Sequence, residues 1–370
     1  MNTTDLITHA DELAETEEYA EAAALYGQAA QGGLPEAAVY QGEMLFHLGD
    51  FPAAERVLRA ALAGGEADAY GWLSDTLVAA ERPAEAAMLM EQAAGQGHPV
   101  GALRAATIWA DAVGDRERAE QWYLKAIDRG EQGALNDYGT FLAEDDSRLE
   151  EAEHVLRQAA EQGDALAFSN LGGMELDRDA PEAAAEWLRR GLELEDQSGS
   201  TALLKLADAE ARLGNLDEAR ALHDRAVDAG LPDAHVARAN FLADHDDPEA
   251  AEADFLAAVE AGDEGAHYYY AEFLAAHDRV GQAVGHYDQA VEDGSDAAHR
   301  RLAFIYLGNG AVRAAEEHFK ESIAAGWLSS VYSYADMLRQ EGRADEIAAL
   351  RPDAERLGAT PGQLEELTAV

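Results

Sequence analysis

The sequence contains no cysteine among its 370 residues, which excludes disulfide bonds, thiolate metal sites and thiol nucleophiles. Basic residues are also scarce, since 27 Lys and Arg stand against 73 Asp and Glu. Only Lys125, Lys205 and Lys320 are lysines. The formal net charge of −46 would repel nucleic-acid phosphates and anionic lipid surfaces. Direct binding to a nucleic acid or to a membrane is therefore not expected.

Long hydrophobic runs are absent as well. No apolar stretch approaches the roughly 18 residues that a membrane span requires, and residues 1–6 lack the basic start and apolar segment of a secretory signal. Aromatic residues make up only 7% of the chain although 48% is hydrophobic, so most of the apolar content is Ala and Leu. We expect a cytoplasmic protein whose helices pack closely.

The chain does have an internal period. A glycine that follows an Ala-rich segment recurs every 32 or 33 residues, apart from one step of 35, and Glu195 stands in the place of one glycine. The glycines of this series are Gly33, Gly65, Gly97, Gly130, Gly163, Gly230, Gly262, Gly294 and Gly326. A period in this range indicates a solenoid, in which each unit buries its apolar face against its neighbours. A long binding surface is therefore a better expectation than an enzyme pocket.

Each unit reads as two helices joined by a turn. In the unit over 36–65, the spacing of apolar residues predicts helix A over 37–48 and helix B over 54–63, with Gly49 and Pro52 in the turn between them. Helix A carries one small residue per unit where two helices approach closely. These small residues are Gly42, Ser74, Thr107, Gly139, Gly172, Ala207, Ala239, Ala271, Ala303 and Ala335.

The repeated pattern resembles a known family. Leu-Gly in helix A, Gly-Asp at the turn and the alanines of helix B resemble the tetratricopeptide repeat, and the stretch 119–130, followed by Ala134 and Tyr138-Gly139, resembles its Sel1-like variant. The units are shorter than a tetratricopeptide repeat of about 34 residues. The resemblance implies a right-handed αα-solenoid of about eleven helix-turn-helix repeats with a C-terminal capping helix. It also implies that helix A lines a concave surface for a protein or peptide.

The 35-residue step separates two sets of repeats. Residues 1–194 and 201–359 are predicted to be the N-terminal and C-terminal repeats, and residues 360–370 the capping helix. The segment 195–200 between the two sets is either a tolerated loop insertion or a hinge.

Candidate chemical sites find little support in the sequence. It contains no phosphate-binding glycine loop, nucleophile elbow or His-Glu-x-x-His pair. His235, His267 and His299 occupy the same place in three successive repeats, about 10 Å apart, which is too far to share a metal ion. We expect a packing or interface role for this histidine ladder, and neither catalysis, nor a cofactor, nor a metal site.

The predicted partner-binding site lies in the C-terminal third, on helix A. The resemblance implies that one helix-A position per repeat faces the groove, and aromatic and Arg side chains there are typical of binding hot spots. The site comprises Asn240, Tyr268, Glu272, Arg300, Phe304, Tyr332, Asp336 and Arg339. The alternative is that these aromatic side chains fill gaps between helices. Capture of a peptide C-terminus is not expected, since only Asn240 matches the family's carboxylate clamp.

The sequence therefore favours a non-catalytic scaffold or adaptor for a protein or peptide partner. The acidity indicates a basic partner, unless it reflects a bias of the whole proteome. One alternative is an acidic inhibitor that imitates a nucleic acid and binds a basic DNA-handling protein. Another is a regulatory sensor that responds to a peptide. The oligomeric state is left open.

Overall fold

The computed structural model describes residues 2–99, 101–194, 202–245 and 247–368. These residues form 23 α-helices joined by short turns, and none of them forms a β-strand. The all-α fold of the helical-repeat solenoid class is thus confirmed. Across the described ranges, no helix combines the length and the apolar character needed to cross a bilayer.

The chain divides into two compact units, Met1–Asp177 and Arg178–Val370. The helices of the first unit are α1 (Thr3–Glu15), α2 (Tyr19–Gln31), α3 (Ala37–His47), α4 (Phe51–Gly64), α5 (Ala69–Ala79), α6 (Pro83–Gly95), α7 (Gly101–Thr107), α8 (Arg116–Asp128), α9 (Ala134–Ala143), α10 (Leu149–Glu161) and α11 (Ala165–Asp177). A π-helix over Ile108–Val113 continues α7, and a 3₁₀-helix over Asp146–Arg148 precedes α10. Consecutive helices from α1 to α11 pack against each other.

The second unit repeats the plan. Its helices are α12 (Pro181–Leu194), α13 (Ala202–Arg212), α14 (Leu216–Asp228), α15 (Ala234–Asp244), α16 (Pro248–Ala261), α17 (Ala266–Ala276), α18 (Val280–Glu292), α19 (Asp296–Gly308), α20 (Val312–Ala324), α21 (Leu328–Gln340), α22 (Arg351–Arg356) and α23 (Pro361–Thr368). A 3₁₀-helix over Ala344–Leu350 packs with α21 and α22. The helix predicted to cap the array is α23, whose Leu364 and Leu367 are buried in the last hydrophobic cluster.

The pair α3 and α4 shows how the sequence specifies one repeat. Helix α4 begins at Phe51, three residues before the predicted start, because the Asp50 side chain accepts a hydrogen bond from the Ala53 amide at 3.1 Å and Pro52 fits the first turn. A Cβ atom at Gly42 would lie 2.4 Å from Leu58 of α4. The small residue of helix A is therefore required by the close approach of helix B.

The two 33-residue steps each place one extra residue between helix A and helix B. In the fourth repeat Ala106 is fully buried at the small-residue position, whereas Thr107, which the sequence pattern had assigned there, is half-buried. The π-helix accommodates the extra residue after Ala106, since its wider turns hold more residues than α-helical turns. In the fifth repeat the 3₁₀-helix before α10 holds the extra residue.

The boundary between the units follows Asp177 and so precedes the predicted division at residues 194 and 201. The predicted hinge, residues 195–200, lies outside the described residues. The division of the chain into two sets of repeats around that segment stays a prediction.

A polar cluster recurs where helix B meets the next repeat. In α16, Glu252 accepts a hydrogen bond from the Tyr270 hydroxyl at 2.9 Å and from Arg279 Nη1 at 2.7 Å. The hydrogen bond that Arg279 donates to Glu252 is the largest of the effects that lower the pKa of this carboxyl group. The same arrangement is formed by Glu120, Tyr138 and Arg148, and by Glu316, Tyr334 and Arg343. Scarce arginines thus join successive repeats in an acidic chain.

Candidate functional site

The eight predicted partner-binding residues lie on α15, α17, α19 and α21 of the second unit. Four of them, spaced by 32 residues, occupy equivalent helix-A positions, and we call the surface around them the helix-A face: Asn240, Glu272, Phe304 and Asp336. Tyr268, Arg300 and Tyr332 precede the last three by one helical turn. The repeat period therefore brings the predicted residues onto corresponding parts of successive helices.

A pocket of about 540 Å³ opens at the N-terminal turns of three helices on this face. It is lined by Asp233, Val236, Ala237 and Asn240 at the start of α15, by Glu264, Gly265, Tyr268 and Tyr269 at the start of α17, and by Ser295 and Ala297 at the start of α19. Two predicted residues, Asn240 and Tyr268, thus share one pocket. Tyr269, whose side chain is 43% exposed, also lines the pocket but is not among the predicted residues.

Two tyrosine rings form one wall of this pocket. The rings of Tyr268 and Tyr269 are 5.6 Å apart and nearly perpendicular, at 80°. Tyr268 also lies edge-on to the buried ring of Tyr287 in α18, at 6.0 Å. Its position is therefore fixed by the hydrophobic core, while Tyr269 faces solvent. Tyr268, an aromatic residue of the predicted binding site, is therefore partly buried in the core and partly exposed.

Glu272 is engaged inside the unit. Its carboxylate accepts hydrogen bonds from the Tyr287 hydroxyl and from Arg301. Burial, followed by the contact with Glu272, raises the pKa of Tyr287, so its hydroxyl stays a proton donor. Arg301, which is not among the predicted binding residues, thus pairs with Glu272. Arg300 instead lies over the ring of Trp327, with its guanidinium carbon 5.0 Å from the ring centre.

Phe304 is the exposed aromatic residue of the predicted set. Its side chain is 48% exposed, and its ring meets the buried Phe319 edge-on at 5.5 Å. One edge is thus held by the core while the rest is open to a partner. Exposed aromatic rings fixed in this way lose little conformational entropy on binding, which is why they are common at protein interfaces.

The last three predicted residues lie where the capping helix packs. Arg339 donates a hydrogen bond to the Leu367 carbonyl at 2.7 Å and pairs with Asp336 at 2.7 Å. A cation beside the last carbonyls of α23 is also favoured by the helix dipole. The hydroxyl of Tyr332 is buried and has no hydrogen-bond partner among the described residues. Arg339 therefore holds the cap, and the exposed residues of the predicted site are Phe304 and Asp336.

Each histidine of the ladder has its own partner on the following helix B. The Nδ1 atoms of His267 and His286 are 2.9 Å apart, as are those of His299 and His318. In the repeat formed by α15 and α16, His235 Nδ1 lies 3.8 Å from Asp254, which binds Arg238 at 2.6 Å. The partners His286 and His318 are themselves 32 residues apart, so the repeat period already contains this signal in the sequence.

The paired rings are arranged for a hydrogen bond. In the His267–His286 pair the ring centres are 5.1 Å apart and the two Nδ1 atoms are 2.9 Å apart. The difference between these two distances is close to two ring radii, as it is when each Nδ1 atom lies on the side of its ring that faces the other ring. The two nitrogens therefore point at each other, with one donating and the other accepting. Burial and His267 lower the pKa of His286, which favours this neutral pair. In the part of the chain that the structure describes, no group of three or more His, Asp or Glu side chains could hold a metal ion.

Several solved structures are similar to this chain in fold. Yeast Tom70 matches with a TM-score of 0.52 and 13% identity, covering 100% of this chain and 99% of that one. A protective antigen of uropathogenic Escherichia coli with an SLR fold matches with a TM-score of 0.44 and 21% identity, covering 90% of this chain and 79% of that one. A Sel1 repeat protein from Oxalobacter formigenes gives 0.46 and 22%, covering 76% and 89%.

No curated protein sequence matches the chain. The family model of the tetratricopeptide repeat, however, matches residues 7–71, 142–200, 192–235 and 204–267, and these ranges together span more than half of the chain. The helix pairs, the 32-residue period and this match agree with one another. The chain belongs to the tetratricopeptide repeat family.

Proposed function

We propose that this protein is a non-catalytic scaffold that binds a peptide segment of a partner protein on the helix-A face of its second unit. Repeats of this family generally serve protein interaction. The observation that carries the proposal is the 540 Å³ pocket at Asn240 and Tyr268 on the same face as the exposed ring of Phe304. Pockets that combine apolar walls with a few polar groups are typical binding sites.

Asn240 supplies the polar contact. Its carboxamide has no hydrogen-bond partner within the described ranges, although the residue is only half-exposed and lines the pocket. A carboxamide offers two donors and an acceptor, which suits the alternating amide and carbonyl groups of an extended peptide. Binding would pair this side chain at little cost in lost hydration.

Phe304 supplies the apolar contact. A partner side chain that covers this 48% exposed ring would remove apolar surface from water. Such burial stabilises a complex by about 25 cal/mol per Å² of apolar surface. Tyr268 is partly buried before any partner arrives, so it shapes the pocket more than it gains by contact. We therefore expect Phe304 to contribute more binding energy per residue than Tyr268.

Selection from a library of random 12-residue peptides, which span about 40–43 Å when fully extended, tests the proposal. Selecting in about 0.5 M sodium chloride suppresses weak attraction to the acidic surface. The affinity of a selected synthetic peptide is then measured for the wild type and for Phe304→Ala and Tyr268→Ala. Leu256→Ala is the matched control, because Leu256 is 45% exposed but lies on α16.

We expect Phe304→Ala to weaken binding about tenfold and Leu256→Ala to leave it unchanged, with unaltered helicity in both. Equal affinities for all variants would contradict the proposal. The acidic nucleic-acid mimic and the peptide-responsive sensor stay as alternatives. A mimic would bind a basic protein with a steep salt dependence and without any dependence on Phe304.

A further inference from the structure

We infer that the pocket at Asn240 and Tyr268 accepts an arginine side chain of the bound peptide. This inference rests on the proposed function and adds the chemistry of the partner. It depends on two carboxylates and two tyrosine rings that line the pocket, namely Asp233, Glu264, Tyr268 and Tyr269.

The negative charge of the pocket is not neutralised from within. Asp233 and Glu264 are exposed, and neither side chain has an ion-pair or hydrogen-bond partner among residues that the structure describes. The arginines of α15 and α19 already have partners within the unit. Arg238 binds Asp254 at 2.6 Å. Arg301 pairs with Glu272 and contacts the hydroxyl of Tyr268, and Arg300 lies over the Trp327 ring. A cation from a partner would therefore meet two carboxylates without displacing an existing pair.

The tyrosines add a surface that favours a planar cation. Both rings line the pocket, and they are nearly perpendicular with their centres 5.6 Å apart. The face of an aromatic ring attracts a cation, and a guanidinium group can stack on it while it donates to carboxylates in its own plane. A lysine ammonium would gain the charge attraction but not the stacking with bidentate hydrogen bonds.

The remaining walls suit the aliphatic part of an arginine. Val236, Ala237 and Ala297 are apolar and lie beside the acidic groups. The methylene groups of a bound arginine can contact them while its charged end reaches Asp233 or Glu264. A volume of 540 Å³ also leaves room for the flanking peptide backbone. An acidic side chain or a peptide carboxylate would be repelled, so the pocket discriminates by charge.

The test combines a change in the peptide with a change in the pocket. An arginine-containing peptide selected as above is compared with the same peptide in which citrulline, neutral and of similar shape, replaces the arginine. Both are titrated into the wild type and into Asp233→Asn/Glu264→Gln. Asn tolerates the left-handed backbone of residue 233, where φ is 59°. The control is Glu249→Gln/Glu260→Gln, which removes the same charge from exposed positions on α16.

We expect citrulline and the pocket double variant each to weaken binding about tenfold, and the two changes together to do little more, because both remove one interaction. Tyr269→Ala should also weaken binding severalfold, whereas Tyr269→Phe should not. The control double variant should bind like the wild type.

Two results would overturn the inference while leaving the proposed function intact. One is a set of selected peptides that depend on Phe304 but contain no basic residue. The other is an equal loss of affinity in the pocket variant and in the control, which would show attraction to the overall charge only. By contrast, peptides whose binding ignores Phe304 would contradict the proposed function itself.

Discussion

The hydroxyl of Tyr334 donates a hydrogen bond to Glu316 at 2.7 Å and so joins α21 to the preceding helix α20. Arg343 and Lys320 each bind the same carboxylate at 2.7 Å. Their hydrogen bonds, Arg343 first, lower the pKa of Glu316 to about 2. The ionised carboxylate of Glu316 thus stabilises the junction between α20 and α21. Protonation of this carboxylate in acid would therefore weaken the junction.

Glu316→Gln should destabilise the protein in a pH-dependent way. We expect a loss of about 1–2 kcal/mol in the free energy of unfolding at neutral pH, discounted for the partly solvated arginine. Because the folded pKa of Glu316 lies below its ordinary value of 4.5, the wild-type advantage is full above about pH 5 and declines as the pH falls toward 2. Urea unfolding at several pH values measures this, with the adjacent exposed Glu317→Gln as the control. A deficit that does not change with pH would refute it.

His223 should also destabilise the wild type in acid. The loss of stability that it causes should begin at a higher pH than the loss caused by protonation of Glu316. The ring is buried 5.0 Å from Phe241, and its Nδ1 has no hydrogen-bond partner among the described residues. Burial, followed by repulsion from Arg238, lowers the pKa of His223 to about 4. The unfolded chain takes up a proton below about pH 6.5 that the folded chain refuses, so stability falls from there to about pH 4.

Over this range the free energy of unfolding of His223→Leu should fall less than that of the wild type. The difference between the two proteins should be on the order of 2–3 kcal/mol. Unfolding at pH 7.5 and at pH 5, compared with His9→Leu at a half-exposed position, measures the difference. Parallel pH profiles of the wild type and His223→Leu would show that His223 titrates normally.

Deletion of Ala112 should be tolerated. The residue is exposed within the π-helix Ile108–Val113, and its removal restores the usual spacing between helix A and helix B as the π-helix becomes α-helical. We expect a change in the free energy of unfolding within about 1 kcal/mol. Deletion of Ala275 from the regular helix α17 should cost several times more, because it displaces the packed residues of α18. Similar losses from both deletions would argue against the π-helix as the site of the extra residue.

Added salt should stabilise the folded protein at neutral pH. With a net charge of −46, the carboxylates repel one another, and raising the ionic strength from about 0.1 M to 1 M shortens the screening length from roughly 10 Å to 3 Å. The melting temperature measured by circular dichroism should rise over this range. A flat or falling melting temperature would mean that the ion pairs at repeat junctions outweigh the general repulsion.

The fold could be predicted because its determinants are local and repeated. The glycine period, the small residue that Leu58 requires at Gly42 and the turn at Gly49 all lie within one unit. The start of α4 was placed three residues late because the cap formed by Asp50 depends on one side-chain hydrogen bond, which the apolar spacing does not reveal. The extra residue near Thr107 was misplaced because Ala106 and Thr107 are adjacent and both small, so residue size alone does not fix the register.

The sequence predicts which helical turns carry the residues of the candidate site, but it does not predict which partners their side chains contact. The period placed Asn240 and Tyr268 on corresponding turns, and they share a pocket. Arg300 and Arg301 differ by about 100° around the helix, and their long side chains reach different partners, so only the structure distinguishes them. Arg339 binds the capping helix, a segment outside the repeat whose position the period does not specify.

Amide hydrogen exchange of the full chain, with and without a selected peptide at saturating concentration, tests directly whether a peptide binds the helix-A face of the second unit. If the peptide binds the helix-A face of the second unit, exchange should slow in α15, α17 and α19, around Asn240, Tyr268 and Phe304, and stay unchanged in α16 and α18. Protection confined to α16 and α18, or to helices of the first unit, would contradict the account.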